Sequence, residues 1–423
     1  MEVKRMNNQT TNQKEATSTE SGGENKSSLS GKYIVLDIVF YGSSLNYDQG
    51  AGNYQELKKI TKWDGKQYSL VSRYALRYSL LETAKNLGLW KLAEASHLQR
   101  AGEGEKTVIQ PSINILLSGE ILNYPEFDLF GYLITNTNPQ NAREAPVKIS
   151  HAVSLTPYTY DSHFCGNLGL AKRMMAATGK MDPNLFTVEE HQTYYIYTVV
   201  IDVDRIGKNE VYLSKEEDNK WEVEIKEDGN VYKIEIKKGD KAVKGTYEIK
   251  KSNNGVEITK SDLNNIYLFT QTLADKDNKV KERIAHLIKA ILYLNRNIKG
   301  RNEILHPKLL IVGLYDGAPY KSYKDRIMLT DEYEEVFEEK KEKPEDNDNE
   351  IKVVRRIVKL KKPVFLLKGV SQQEVEAIDK AEDKLVGNTN NELSNFLSCR
   401  GNNKPSEKVY MFKAPEIEVR FAN

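Results

Sequence analysis

The sequence is short of cysteine, of net charge and of long apolar runs, and each shortage removes a class of protein. Its 423 residues hold two cysteines, Cys165 and Cys399. That excludes a disulfide scaffold or a multi-cysteine zinc site and suits a reducing compartment such as the cytoplasm. The formal net charge is +1, so a molecule-wide basic field is absent and any nucleic-acid binding must rest on a local stripe. No apolar run is long enough to cross a bilayer and no signal-peptide pattern stands out, so no membrane partner is expected. The longest apolar stretches, 34–40 and 309–314, have the length of strands. Enzyme signatures are also missing: there is no Gly-x-Ser-x-Gly, no His-Glu-x-x-His and no deaminase pattern. The loop 42–52 carries Gly42, Gly50 and Gly52. It lacks the Gly-Lys-Ser or Gly-Lys-Thr ending of a phosphate loop and the spacing of a dinucleotide fingerprint. No cofactor is expected. The aromatic motif with which standard RRM domains stack bases is absent as well.

Hydrophobic residues at 39% and charged residues at 29% allow a sizeable core under a charged surface. The length corresponds to two or three domain-sized units. Residues 1–30 are polar without apolar periodicity and read as a disordered leader. The run 33–40 is β-branched and aromatic, as in a buried strand. Over 69–87 the pattern turns helical, with Tyr74, Tyr78 and Leu81 at spacings of four and three and Ser69 or Ser72 as cap. Residues 88–146 are irregular, and 147–155 alternate as a strand. A Gly-broken excursion, 156–190, without an apolar period of its own, leads into a strand over 194–203. Over 207–261, apolar residues alternate with Lys and Glu between turns such as Asp228-Gly229. This predicts an inserted antiparallel module with one solvated face, contributing no core element and tolerable to lose. An amphipathic helix follows over 280–297 and a strand over 309–314. The acidic run 332–350 reads as a mobile loop. A basic run follows over 352–362, then a helix-like segment over 372–385. Without the excursions, the order is strand, helix, strand, strand, helix, strand, that of the ferredoxin-like or RRM-type unit.

Several side chains invite a ligand. Arg73 and Arg77 lie one helical turn apart, as a phosphate clamp or as a solvated helix face. In Arg143-Glu-Ala-Pro-Val-Lys148-Ile-Ser-His151, Lys148 and Ser150 share one strand face and Val147, Ile149 and His151 the other. His151 alone reads as an interior histidine. Lys172 and Arg173 sit in the 156–190 excursion near Tyr158, Tyr160 and Phe164, which either stack on bases or pack the base of the loop. Asp202 and Asp204 share a strand face without a third ligand nearby, as in a strand-end charge cluster.

Six segments together resemble the DevR group of CRISPR-associated proteins, the backbone subunits of type I-B Cascade. They are Leu36-Asp-Ile-Val-Phe-Tyr-Gly-Ser-Ser-Leu-Asn46, Ser72-Arg73-Tyr-Ala-Leu-Arg77, Phe130-Gly-Tyr, Arg143 to Leu155, residues 194–207, and Asn295-Arg-Asn-Ile-Lys-Gly-Arg301 with Leu305-His-Pro. The resemblance covers most of 33–206 and 280–315. It implies an α+β fold with a ferredoxin-like palm and finger and thumb insertions. In that reading 31–87 and 266–315 are the two palm halves and 88–146 the fingers. Residues 147–206 carry palm strands with a thumb at 157–190, 207–265 an inserted β-rich module, and 316–423 a C-terminal extension with a charged loop. It further implies a non-catalytic subunit that oligomerises head to tail along crRNA with other Cascade subunits and meets target DNA through the guide. Asn46, Arg73 and Arg77 match motifs that face the RNA, as do Arg143, Lys148 and Arg301. Lys172 and Arg173 join them on charge and position alone. Two other readings compete: a type III-like backbone subunit cleaving target RNA through Asp48, and a generic RNA-binding adaptor.

Overall fold

The computed structural model describes residues 31–50, 52–102, 104–217, 221–238, 245–330, 335–342, 351–358, 363–377, 392–398 and 406–422. The expected leader, Cys399 and residues 378–385 of the helix-like segment lie outside the described residues. The fold is mixed α+β with many strands and few helices. Six elements carry the framework: β1 (Lys32–Ser43), α1 (Arg73–Asn86), β2 (Ala152–Ser154), β3 (Gln192–Asp202), α2 (Lys276–Leu292) and β4 (Pro307–Asp316). They run across one sheet in the order β4, β1, β3, β2, and every neighbouring pair is antiparallel. The hairpin of Lys59–Thr61 and Gln67–Val71 extends the sheet beyond β2. Residues 69–71, expected in the first helix, therefore belong to a strand, and Ser72 caps α1.

The segment 147–155 is two strands rather than one. Val147–Ile149 pairs with β3 through Ile149 opposite Val199, and β2 pairs through Val153 opposite Ile196. Four steps on one strand thus face three on the other, which is a β-bulge, and a bulge re-aims the side chains beside it. His151 sits in it.

Both sheet faces are buried. Ile34, Leu36, Ile38 and Phe40 of β1 meet Leu76, Leu80 and Ala84 of α1 and Ile284, Leu287, Ile288 and Ile291 of α2. On the other face Val39, Ile196, Leu309 and Ile311 pack against Phe365 and Leu367. These two belong to a small sheet of Ile327–Thr330, Val364–Lys368 and Glu418–Ala422, while Ser406–Lys413 adds a strand beside β4. Described strands of the C-terminal hundred residues, which had no place in the sequence pattern, thus cover the second face. The acidic run was expected to be a loop. Part of it, Glu335–Glu342, is instead a strand paired with Ile351–Val358 in the basic run, with Glu338 opposite Arg355 in the register.

The 207–261 module also departs from expectation. Its strands contribute Val211, Leu213, Val223, Ile234, Ile249, Val256 and Ile258 to a second core shared with Ile115, Leu116, Leu117, Ile121, Phe127 and Ile134 of the 88–146 segment. Gly119 has φ +74, and a Cβ there would meet Val256 Cγ1 at 2.8 Å. Buried polar groups lock the two parts together: Gln271 Nε2, on the adjoining strand Ile266–Leu273, donates to the Leu116 carbonyl at 2.6 Å, and Asn141 brackets Tyr212 by donating to its carbonyl and accepting from its N–H. The even Lys/Glu alternation signalled the solvated face correctly. It could not signal that the apolar face covers a distant segment.

The two cores meet at Asp128, whose side chain is fully buried. It accepts from Arg143 Nη2 at 2.6 Å, from Arg283 of α2, and from the Gly207 N–H at 2.9 Å. Arg143 also donates to the carbonyls of Asp128, Arg205 and Lys208. Gly131, in the Phe-Gly-Tyr motif, has φ +71, and a Cβ there would lie 2.3 Å from the Arg143 carbonyl oxygen.

Removing one partner of a buried ion pair leaves the other uncompensated, at about 3–5 kcal/mol. Asp128→Asn is expected to cost about that much, read as a lower urea midpoint with new protease cleavage inside 88–146. The exposed Glu144→Gln is expected to stay within about 0.5 kcal/mol of the parent. Deleting 209–260 uncovers the second core, so the product is expected to aggregate or to bind ANS strongly. A soluble, ANS-silent deletion protein would show the module to be dispensable.

Candidate nucleic-acid interface

The start of α1 is fastened from three sides. Ser72 accepts from the Ala75 N–H at 3.2 Å as N-cap. Asn46 Oδ1, from the loop after β1, accepts from the Ser72 N–H at 2.9 Å. His151, turned by the bulge, accepts from the Arg73 N–H through Nδ1 at 2.9 Å. Burial, then the charges of Arg73 and Lys324, hold the His151 imidazole below its ordinary range, which favours the neutral acceptor this bond needs. Asn46 is buried. It positions the helix that carries the arginines and offers little surface to a ligand. His151, which the sequence suggested as interior, is exposed and serves the same turn through its bond.

α1 turns a different face inward from the one its tyrosines suggested. Leu76, Leu80 and Ala84 are buried, whereas Tyr74 and Tyr78 are each 65% exposed. The two tyrosines lie outward with the arginines. Arg73 Nη2 donates to the Tyr74 hydroxyl at 2.9 Å, and the Arg77 guanidinium lies 5.5 Å from the Phe130 ring centre. Burial pushes Arg77 down and the charge of Glu126 offsets part of that. Arg73, Tyr74, Arg77, Phe130, Glu144 and Lys148 line an open cleft of about 350 Å³. Three of the anticipated cations therefore share one site. One carboxylate sits among them: Glu144 pairs with Lys148 at 2.6 Å and with Arg205 at 2.6 Å. Hydrogen bonds from those two cations hold its carboxyl at about 2.

The remaining anticipated residues are elsewhere. Arg143, at 8% side-chain exposure, is engaged by Asp128 and three carbonyls, so it braces the cores instead of facing solvent. The sequence placed it just before a strand and could not reveal the buried acid that claims it. Arg301, on the strand Arg301–Ile304, bonds Glu190 at 3.1 Å and the Tyr47 hydroxyl at 3.2 Å. It ties the β1 loop to the root of the 157–190 segment. Lys172 and Arg173 are exposed on a helix, Leu168–Thr178, which the sequence reading missed. That helix caps an arm made of Ser162–Gly166 and Leu185–Glu189 and buries Ala171 alone. Leu168, Leu170, Met174 and Met175 are exposed on it. At the arm's root, Tyr158 packs edge-on against His191 under Lys59, while Tyr160 and Phe164 point into solvent.

Asp48 is exposed and accepts from Lys58 Nζ at 2.9 Å and from the Gln49 N–H at 3.0 Å. These bonds, the one from Lys58 foremost, hold it below the usual carboxylate range. Among the described residues no group of three or more His, Cys, Asp or Glu is placed to hold a metal ion, and no helix is long and apolar enough to cross a membrane. Lys324 had no signal in the sequence. It reaches the rim of the site by donating to Ser150 Oγ at 3.1 Å and to the His151 carbonyl at 3.2 Å.

A family model described as "CRISPR-associated negative auto-regulator DevR/Csa2" matches residues 34–338. The match runs through the 207–261 module, which the quoted motifs did not reach. Among solved structures, a chain of a "CRISPR RNA-guided surveillance complex, pre-nicking" is similar at 10% identity over 68% of this chain and 80% of that one, with a TM-score of 0.38. A chain of a "Type IV-B CRISPR Complex" is similar at 15% identity over 40% and 72%, with a TM-score of 0.22. No curated protein sequence matches. The family match takes in the framework sheet, both of its helices, the cleft and the arm, and the chain belongs to the CRISPR-associated DevR/Csa2 family.

Proposed function

We propose that this protein is a non-catalytic backbone subunit of a type I Cascade complex, of type I-B, that coats crRNA in the cytoplasm for antiviral defence. The observation that carries the reading is the convergence of Arg73, Arg77 and Lys148 on one open cleft at the start of α1. Guanidinium forks suit phosphate oxygens, and phosphate contacts hold a strand without reading its sequence. That is the task of a subunit that leaves recognition of target DNA to base pairing by the guide. In this reading the β4–β1–β3–β2 sheet with α1 and α2 is a ferredoxin-like, RRM-type palm. Residues 88–146 are the fingers and 157–190 the thumb. Asp48, already paired with Lys58, is not a nuclease residue. A metal-dependent RNA cleavage activity of the assembled complex, lost in Asp48→Ala, would overturn that part.

The Arg73→Ala, Arg77→Ala double variant is expected to weaken binding almost equally for unrelated RNA sequences. The slope of log affinity against log salt should become shallower by about 0.7 for each phosphate contact removed. A changed sequence preference at an unchanged slope would rule out the clamp.

The arm helix supports self-association. An exposed helix bearing Leu168, Leu170, Met174 and Met175 buries little in its own subunit and suits the next copy along the strand. Such a head-to-tail contact does not close and so builds a filament. Removing the tip, residues 166–179, is expected to leave a soluble monomer while extended nuclease footprints on long RNA collapse to short, irregular ones. Unchanged footprints and particle size would mean that the arm is not the thumb.

A further inference from the structure

Next to the arginine cleft lies a second group of cations with no assigned role. Lys324 is anchored on the bulge through Ser150 and His151, and His151 in turn holds the Arg73 N–H. Lys62 stands at the end of the Lys59–Thr61 strand with its Nζ 3.8 Å from the Tyr68 ring centre. Among the described residues neither lysine forms an ion pair with a carboxylate. Burial holds both below the ordinary lysine range. For Lys62, Asp64 and Asp325 counter the effect and the charge of Lys324 adds to it. For Lys324, Asp325 and Asp37 counter it. Partly buried like charges that form no ion pair are relieved further by an anion.

The turn after Lys62 is stiff. Lys62 and Lys66 bond across it, with N–H to carbonyl at 3.1 Å, and the Gly65 N–H donates to the Lys62 carbonyl at 3.0 Å. Asp64 accepts from the Tyr68 hydroxyl at 2.7 Å and from the Lys66 N–H at 3.0 Å. The adjacent acid is thereby engaged within the turn. On this fixed tip Trp63 is 97% exposed, between Lys62 and Lys66. The strand leaving the tip, Gln67–Val71, runs straight into Ser72 and Arg73. The turn thus fixes where the Trp63 backbone stands relative to the clamp and leaves the indole open to solvent. An exposed aromatic beside cations is the arrangement with which proteins hold single strands, with the base stacked and the phosphate neutralised.

We infer that Lys62, Lys324 and Trp63 form a one-nucleotide subsite for single-stranded nucleic acid beside the arginine cleft, the lysines taking a backbone phosphate and the indole stacking on the base. The inference rests on the RNA-binding reading and adds to it a base contact on the hairpin tip, where neither the motifs nor the α1 arginines place one.

The test is a salt-series titration of the full chain with a 12-nucleotide oligoadenylate and with an abasic strand of the same length. Trp63→Ala is expected to weaken oligoadenylate binding about tenfold and to leave the abasic strand unaffected, with Trp63→Phe retaining most of the affinity. Lys324→Gln and, as a more exposed counterpart, Lys62→Gln should weaken both ligands and each flatten the salt slope by about 0.7. Equal effects of Trp63→Ala on both strands, or none on either, overturn the stacking assignment. Unchanged slopes in both lysine variants overturn the phosphate assignment. The Arg73→Ala, Arg77→Ala variant runs alongside: if it loses affinity while the Trp63 and lysine variants do not, RNA binding stands and the subsite falls. If the parent binds neither ligand, both fall. Reduced self-association of Trp63→Ala at unchanged affinity for RNA would assign the tip to a protein contact and overturn the proposal.

Discussion

A single buried carboxylate decides how the parts of this molecule are joined. Asp128 faces two guanidiniums, Arg143 and Arg283, and the Gly207 N–H. The four groups come from four elements: the short helix Pro125–Phe130 and the strand Asn141–Arg143, both within 88–146, the framework helix α2, and the point where the chain leaves the sheet for the 207–261 module. Each charge would be strongly unfavourable there alone. Together, with carbonyl oxygens accepting the remaining Arg143 donors, they satisfy one another only if all four segments arrive in one arrangement. The two hydrophobic cores need no specific angle between them, because apolar contact is not directional. The hydrogen-bonded cluster supplies one.

That angle has consequences for the cleft. Phe130 lies two residues from Asp128 on the same short helix and forms the floor under Arg77. Glu144 and Lys148 follow Arg143 along the chain and form the opposite wall. Holding Asp128 and Arg143 together therefore sets the width of the gap between α1 and the strand Val147–Ile149. At the other end, Asn46 and His151 fasten the first turn of α1. The cations of the cleft are exposed or half-exposed, but the groups that aim them are buried or bonded. A clamp needs that division, since ordering long side chains on binding otherwise costs affinity.

The framework was legible because its signals are local. Alternation and β-branched composition marked β1, β3 and β4, and Ile284, Leu287, Ile288 and Ile291 marked α2. Arg73 and Arg77 were legible as a pair because helical spacing alone puts them on one face. What was not legible depends on partners distant in sequence. Arg143 looked as available as Lys148, and only the fold brings Asp128 and the carbonyls of Arg205 and Lys208 to it. Of the three residues that marked α1 in the periodicity, Leu81 is buried and Tyr74 and Tyr78 are exposed, because a tyrosine counts as apolar in a period and also serves at a wet interface. The 207–261 module looked self-contained for the same reason: its period shows that one face is apolar, not what covers that face.

The near-neutral net charge acquires a definite meaning in this arrangement. Lys and Arg number 62 against 61 Asp and Glu, and some of this charge is paired on the surface of the 207–261 module, as in Lys237 with Glu222 and Glu224 or Lys251 with Glu227. Around the start of α1 the balance is different. Arg73, Arg77, Lys62 and Lys324 lie there without an ion pair among the described residues, and Glu144 is matched by Lys148 and Arg205. A uniformly basic chain would attract any polyanion at any face and would repel its own copies when stacked. In the proposed reading a few such cations per copy suffice, because each copy along a strand need neutralise only a few phosphates.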